Sequence, residues 1–106
     1  MPGSQPAPKG KYTVKPEEGA WKGLSSLSEA GQEKVTALWR DHIQHTPKVR
    51  IPGKLKELKG DYKGYYQYDI NQKDRMIYWV DDAEMIVYVE YIGAHPDWKR
   101  RRSRAY

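Results

Sequence analysis

The chain has 106 residues, no cysteine and a formal charge of +5. Those figures exclude a disulfide framework and a thiolate zinc site, and they bound the fold to one small domain with one modest core. No apolar run is long enough to span a bilayer and no signal-peptide core follows the start, so the expected setting is the cytoplasm.

In chain order, residues 1–10 hold three prolines and two glycines and almost nothing apolar, which reads as a flexible tail. Lys11–Lys15 alternates and predicts an edge strand. Pro16, with Glu17 and Glu18 behind it, suits a helix start. Gly19 and Gly23 keep that helix short, near Glu17–Leu24. Leu27, Val35, Leu38, Trp39, His42 and Ile43 fall on one stripe of a second, longer helix. Ser28 is a suitable N-cap; Ser26 is the alternative, with Glu29 closing a capping box. Pro47 stops this helix, and Thr46–Gly60 reads as a loop.

Three aromatic and β-branched runs follow: Tyr62–Ile70, Arg75–Val80 and Met85–Ile92. The polar breaks Asn71–Asp74 and Asp81–Glu84 separate them, which predicts an antiparallel meander. In the first run Tyr62, Gly64, Tyr66, Tyr68 and Ile70 share one face, and Lys63, Tyr65, Gln67 and Asp69 share the other. The third run is apolar on both faces except at Glu90, as in a strand covered on both sides. The expected class is α+β: a small antiparallel sheet, made of the N-terminal strand plus the three-stranded meander, with two helices packed on one face. The domain runs over residues 11–98, between the tail 1–10 and a basic tail 99–106.

Charge is unevenly placed. Residues 1–98 carry 14 Lys/Arg and 14 Asp/Glu, so the net excess is Lys99, Arg100, Arg101, Arg102 and Arg104. Lys48, Arg50, Lys54, Lys56, Lys59 and Lys63 form a basic belt opposed only by Glu57 and Asp61. Basic clusters beside aromatics favour a polyanionic partner, nucleic acid above all. Each candidate has a plainer reading. Arg75 can pair with Asp74, Asp81 or Asp82, Trp98 can cap the core, and the lysines can be a solvated surface. His42 and His45 lie at helical i, i+3 spacing, but no third ligand accompanies them, and the carboxylates are scattered. Neither a metal site nor a cofactor is therefore expected.

Leu58–Gly60 (LKG) ahead of the meander, Asp74–Val80 (DRMIYWV) in its second strand and Tyr91–Trp98 (YIGAHPDW) closing the third resemble the RelE/ParE superfamily of bacterial type II toxins. The Gly93-Ala94-His95 ending, with an aromatic three residues after the histidine, is similar to HigB-like and YafQ-like members. The resemblance implies a ribosome-dependent endoribonuclease that cuts translated mRNA by metal-independent attack of the 2′-hydroxyl. It implies a cognate antitoxin, the ribosome and mRNA as partners, and no membrane. Such chemistry needs a proton acceptor, a proton donor and cations over the phosphorane. His95 is suited to proton exchange near neutral pH, Arg75 to a planar grip on phosphate oxygens and Lys63 to further positive charge. Lys54, Lys56, Lys59, Lys99, Arg100, Arg101 and Arg102 are the expected RNA or ribosome contacts, and Trp98 offers a stacking face.

Two features depart from the pattern. Gln67 and Asp69 stand in the first meander strand where basic residues are common in nuclease members. Trp98 stands where Tyr or Phe is common, and an indole is no acid or base. Two alternatives therefore accompany the nuclease: a ParE-like poison of DNA gyrase that acts by binding, and a small basic RNA-binding or interaction domain. Truncation after Trp98 is expected to leave the fold intact and to weaken ribosome binding with a shallower salt slope, measured as affinity across a salt series.

Overall fold

Period-two alternation and the turn residues between the runs produce the meander in the computed structural model, which describes residues 11–94. The elements in order are β1 (Thr13–Pro16), α1 (Glu18–Ser26), α2 (Glu29–Leu38), β2 (Leu55–Glu57), β3 (Tyr65–Asp69), β4 (Asp74–Asp81) and β5 (Ile86–Ala94). Ser28 caps α2, its hydroxyl accepting from the Gly31 N–H at 3.1 Å, so Ser28 and not Ser26 starts that helix. After Leu38 the chain widens into a π-helical turn over Trp39–Ile43 before Pro47. Pro16 closes β1 and does not open α1. An edge strand can take a residue without an N–H at its end. The predicted tails, together with His95 and Trp98, lie outside the described residues.

The strands lie in the order β1-β5-β4-β3-β2. The expected α+β class holds, with two additions to the expected sheet. Leu55–Glu57, read as part of a loop, is a fifth strand antiparallel to β3, with Leu55 opposite Tyr68 and Lys56 opposite Gln67. A three-residue Leu-Lys-Glu segment hardly establishes an alternation, and the pairing exists because Leu55 reaches the core. The sheet is also mixed. β1 runs parallel to β5, from Thr13 beside Ile86 to Pro16 beside Val89. Alternation specifies which side chains face the core, but not the direction of the neighbouring strand. β5, the run apolar on both faces, is internal, between β1 and β4.

Both helices cover one face. Ala20 and Leu24 of α1, Val35 and Leu38 of α2, and Ile43 meet Tyr66, Ile70, Met76, Tyr78, Val87, Val89 and Ile92 in one buried cluster. Full burial of Ile43 or Leu38 contributes about 1.5–3 kcal/mol each. Trp39 is only partly buried. Its indole N–H points to the Met76 sulfur at 3.1 Å, and its ring meets Trp21 edge-on at 6.3 Å. Tyr78 is fully buried and stacks on Tyr66 with ring centres 5.4 Å apart. Its hydroxyl donates to the Pro47 carbonyl, fastening the chain beyond α2 to the middle of the sheet. Burial pushes the Tyr78 phenol far above its ordinary pKa.

α1 lies almost directly on β5. A Cβ placed at Gly23 would come within 1.9 Å of the Ile92 carbonyl oxygen. Gly23→Ala is therefore expected to destabilise the fold by about 3 kcal/mol despite the better helix propensity of alanine, read from urea unfolding midpoints. Tyr78→Phe is expected to cost about 1–2 kcal/mol in the same assay, because the Pro47 carbonyl loses its donor where water has no access.

Candidate functional site

The same alternation that buries Met76 and Tyr78 sends Arg75, Ile77 and Trp79 of β4 to the face away from the helices. Strand register lines up the side chains there in rows. One row runs Lys56, Gln67, Ile77 and Tyr91, and the next runs Asp69, Arg75 and Gly93. The Asp69 N–H donates to the Lys54 carbonyl at 2.8 Å, which sets Lys54 beside Asp69 at the same edge. Lys54 and Lys56 are exposed.

The middle of this face is covered. Leu58, Tyr62 and Tyr65 pack on Ile77 and Tyr91 in a second, smaller apolar cluster. The register slips between Ile77 and Tyr78, where Tyr91 and then Val89 are the partners and Glu90 is passed over. Such a bulge re-aims side chains, and here the Tyr65 hydroxyl donates to a Glu90 carboxylate oxygen at 3.4 Å. Near its end β5 closes tightly: the Tyr91 hydroxyl donates to the Ala94 carbonyl at 2.9 Å, and a Cβ at Gly93 would stand 2.7 Å from that hydroxyl. Ala94 pairs with Asp74, the residue before Arg75 on β4.

Arg75 is held on two sides. Its Nε lies 2.9 Å from Asp69 Oδ1. Its Nη1 donates to the carbonyls of Asn71 at 2.6 Å and Asp74 at 3.1 Å. The carboxylate expected to pair with it was that of Asp74, Asp81 or Asp82. Asp69 is the partner, because the antiparallel ladder places it directly opposite across β3 and β4. Asp82 is engaged elsewhere, by Lys48 at 2.7 Å and the Tyr12 hydroxyl at 2.9 Å, and those two donors hold its carboxyl below the usual range. Gln67 is 4% exposed, its Nε2 donates to Asp69 Oδ1 at 3.2 Å, and its buried Oε1 has no partner among the described residues.

The structure brings together some of the expected site residues and separates others. Arg75, Lys54 and Lys56 share the helix-free face. Lys59 and Lys63 do not join them. With Arg50 they line a cleft of about 220 Å³ near the start of β3, whose five residues span about 13 Å before Asp69 is reached. His95, Trp98, Lys99, Arg100, Arg101 and Arg102 lie outside the described residues. His42 Nε2 is 2.8 Å from the Val49 carbonyl, so this ring nitrogen serves the loop after α2. Among the described residues no group of three His, Asp or Glu side chains forms a candidate metal site.

Two features of this region escape a linear reading. Trp79 and Tyr88 stack at 4.7 Å on the helix-free face and are only partly buried, an aromatic surface in the row of Tyr65, at the far end of β4 from Arg75. The alternation Arg75, Ile77, Trp79 is the signal that could have found Trp79. A cleft of about 530 Å³ also opens where the α1–α2 junction meets the β3–β4 turn, bounded by Ser26, Ser28, Lys73 and the same Asn71 and Asp74 that hold Arg75. Nothing local in sequence joins residues so far apart.

No protein-family model matches the chain, and no curated protein does. Solved structures do match its fold. A YoeB/ParE toxin from Agrobacterium tumefaciens superposes with a TM-score of 0.67 over 78% of this chain and 98% of that one, at 24% identity. The YoeB dimer of Staphylococcus aureus gives 0.66 over 79% and 97% of the two chains, at 22% identity. The archaeal RelE–RelB complex of Pyrococcus horikoshii gives 0.56 over 78% and 93%, at 21% identity. The chain thus has the RelE/ParE toxin fold, as its three motifs imply. It is similar both to YoeB-type and to RelE-type members of that class. Among the described residues no helix is long and apolar enough to cross a membrane.

Proposed function

We propose that this protein is the toxin of a type II toxin–antitoxin system and that it cuts mRNA on the ribosome. The observation that carries the reading is the edge of the helix-free face. There Lys54 and Lys56 stand beside the Asp69–Arg75–Gly93 row, and His95 follows Gly93 by two residues in the chain. Structural relatives crystallised as toxin–antitoxin complexes support a cognate antitoxin as partner.

In the proposed reaction the 2′-oxygen attacks the adjacent phosphorus and the bond from phosphorus to the 5′-oxygen breaks. A 2′,3′-cyclic phosphate and a 5′-hydroxyl result. His95 takes the 2′-hydroxyl proton, and a protonated group returns one to the leaving oxygen. Arg75 grips non-bridging oxygens, and Lys54 and Lys56 neutralise the strand around them. Lys59 and Lys63, a strand length away, fit contacts to flanking phosphates better than contacts to the scissile one. Trp98 stacks on an unpaired base, and Lys99, Arg100, Arg101 and Arg102 meet ribosomal RNA.

One observation favours a second reading, a ParE-like gyrase poison without chemistry: Arg75 is already neutralised by Asp69. Primer extension on a translated message with purified protein, with and without EDTA, together with a gyrase supercoiling assay, separates the two. The expected result is cleavage that survives the chelator, with supercoiling unaffected. Inhibited supercoiling over intact mRNA would establish the alternative. His95→Ala is expected to slow single-turnover cleavage by about 10²–10⁴-fold. Lys54→Ala and Lys56→Ala should chiefly weaken ribosome binding and flatten its salt dependence, each by about one unit of slope or less.

A further inference from the structure

We propose that Asp69 is a built-in competitor for the phosphate that Arg75 binds, so that RNA must displace a resident carboxylate before the guanidinium can engage it. The inference rests on the reading of the helix-free face as an RNA surface.

A guanidinium offers two edges with paired N–H groups, Nε with Nη2 and Nη1 with Nη2, and two-pronged recognition of phosphate uses one whole edge. In Arg75 both edges are engaged. Asp69 Oδ1 sits on Nε at 2.9 Å, and the Asn71 and Asp74 carbonyls sit on Nη1 at 2.6 and 3.1 Å. The second edge is the harder to free, because its acceptors are backbone atoms of a well-braced turn. The Asn71 side-chain oxygen accepts from the N–H groups of Lys73 and Asp74 at 2.8 Å each, and the Ile70 N–H donates to the Asp74 carbonyl at 3.0 Å. Opening that edge breaks the turn. Opening the other edge needs only a side-chain rotation.

Asp69 is also the member that solvent reaches, its side chain being 38% exposed against 20% for Arg75. A dianionic or monoanionic phosphate and the carboxylate cannot share one edge at contact distance without strong repulsion. Exchange is therefore the route open to the ligand. The displaced carboxylate has another donor close by. Gln67 Nε2 already donates to it at 3.2 Å, and Lys54, immediately before β2, is the residue whose carbonyl accepts from the Asp69 N–H. Gln67 and Asp69, the two residues that depart from the basic pattern of the family, thus act as one device: Gln67 steadies Asp69, and Asp69 occupies Arg75. The device raises the phosphate concentration or the number of neighbouring contacts needed to engage Arg75, which favours an extended polyanion over a free phosphate ion.

The test is titration of full-length protein, wild type and Asp69→Asn, with inorganic phosphate and separately with a 2′-O-methyl RNA oligonucleotide that cannot be cut. The Arg75 Nε–Hε resonance reports occupancy. Asp69→Asn is expected to bind the oligonucleotide about three- to tenfold more tightly, with the Arg75 signal shifting at correspondingly lower concentration. Glu84→Gln, which removes the same charge from the exposed β4–β5 turn, should change affinity less than about twofold. In an Arg75→Gln background the gain from Asp69→Asn should vanish. Asp69→Ser serves as a second variant if the amide disturbs the fold. No gain in either Asp69 variant, an equal gain in Glu84→Gln, or a gain that persists without Arg75 would each overturn the inference. A shift with the oligonucleotide but not with inorganic phosphate supports the polyanion as the ligand. Equal tightening for both supports exchange with any phosphate. The outcome is independent of the cleavage assay: tightening without cleavage leaves the competitor standing and removes the nuclease, and cleavage without tightening does the reverse.

Discussion

The close approach of α1 to β5 at Gly23 and Ile92 is the constraint on which the rest depends. Without a side chain at residue 23 the helix backbone rests on the carbonyl of Ile92, and Ala20 and Leu24 come down on β5 at either side. That contact sets the height of the helical layer. Val35, Leu38 and Ile43 then reach Met76 and Tyr78 at ordinary packing distance, and the Tyr78 hydroxyl reaches Pro47. A sheet so completely covered on one face has only the other face free to meet a partner. The seating of α1 thus decides, from the opposite side, where Arg75 and Lys56 are presented.

The helix-free face is a compromise between cover and access. Leu58, Tyr62 and Tyr65 shield Ile77 and Tyr91, which would otherwise be an apolar patch in water. The turn that carries this cover also moves Lys59 and Lys63 away from Arg75, dividing the basic belt into an edge at β2 and a cleft beside Arg50. The bulge at Glu90 lets Tyr91 join the cover while Val89 and Ile92 stay in the main core. Gly93 follows directly, opposite Arg75, where any side chain would collide with the Tyr91 hydroxyl.

Much of the fold was legible in the residues. Tyr66 and Ile70 against Tyr65 and Gln67, the breaks at Asn71–Asp74 and Asp81–Glu84, and the stripe through Val35, Leu38 and Ile43 each express a period that one element alone satisfies. Less of the site was legible. Arg75 could be assigned to the helix-free face, but none of the carboxylates expected to pair with it, Asp74, Asp81 or Asp82, is its partner. Asp69 is six residues away in sequence and becomes the neighbour only through the β3–β4 register. The split of the lysine belt had no local signature: Lys54 directly precedes the short strand β2, and Lys63 follows the turn Gly60–Tyr62 that leads to β3.

Sequence alone determined the class of the fold, the existence and breaks of the three meander strands, a helix start at Ser26 or Ser28 and the basic character of the segment before the meander. These follow from local periods and single-residue propensities, which act within a few residues. Tertiary structure alone decided the parallel seat of β1, the pairing of β2, the second apolar cluster, the Trp79–Tyr88 stack and the clamp of Asp69 on Arg75. Each of these joins elements through register or through a shared core. Register is set by burying whole faces together, a quantity that no stretch of chain carries by itself.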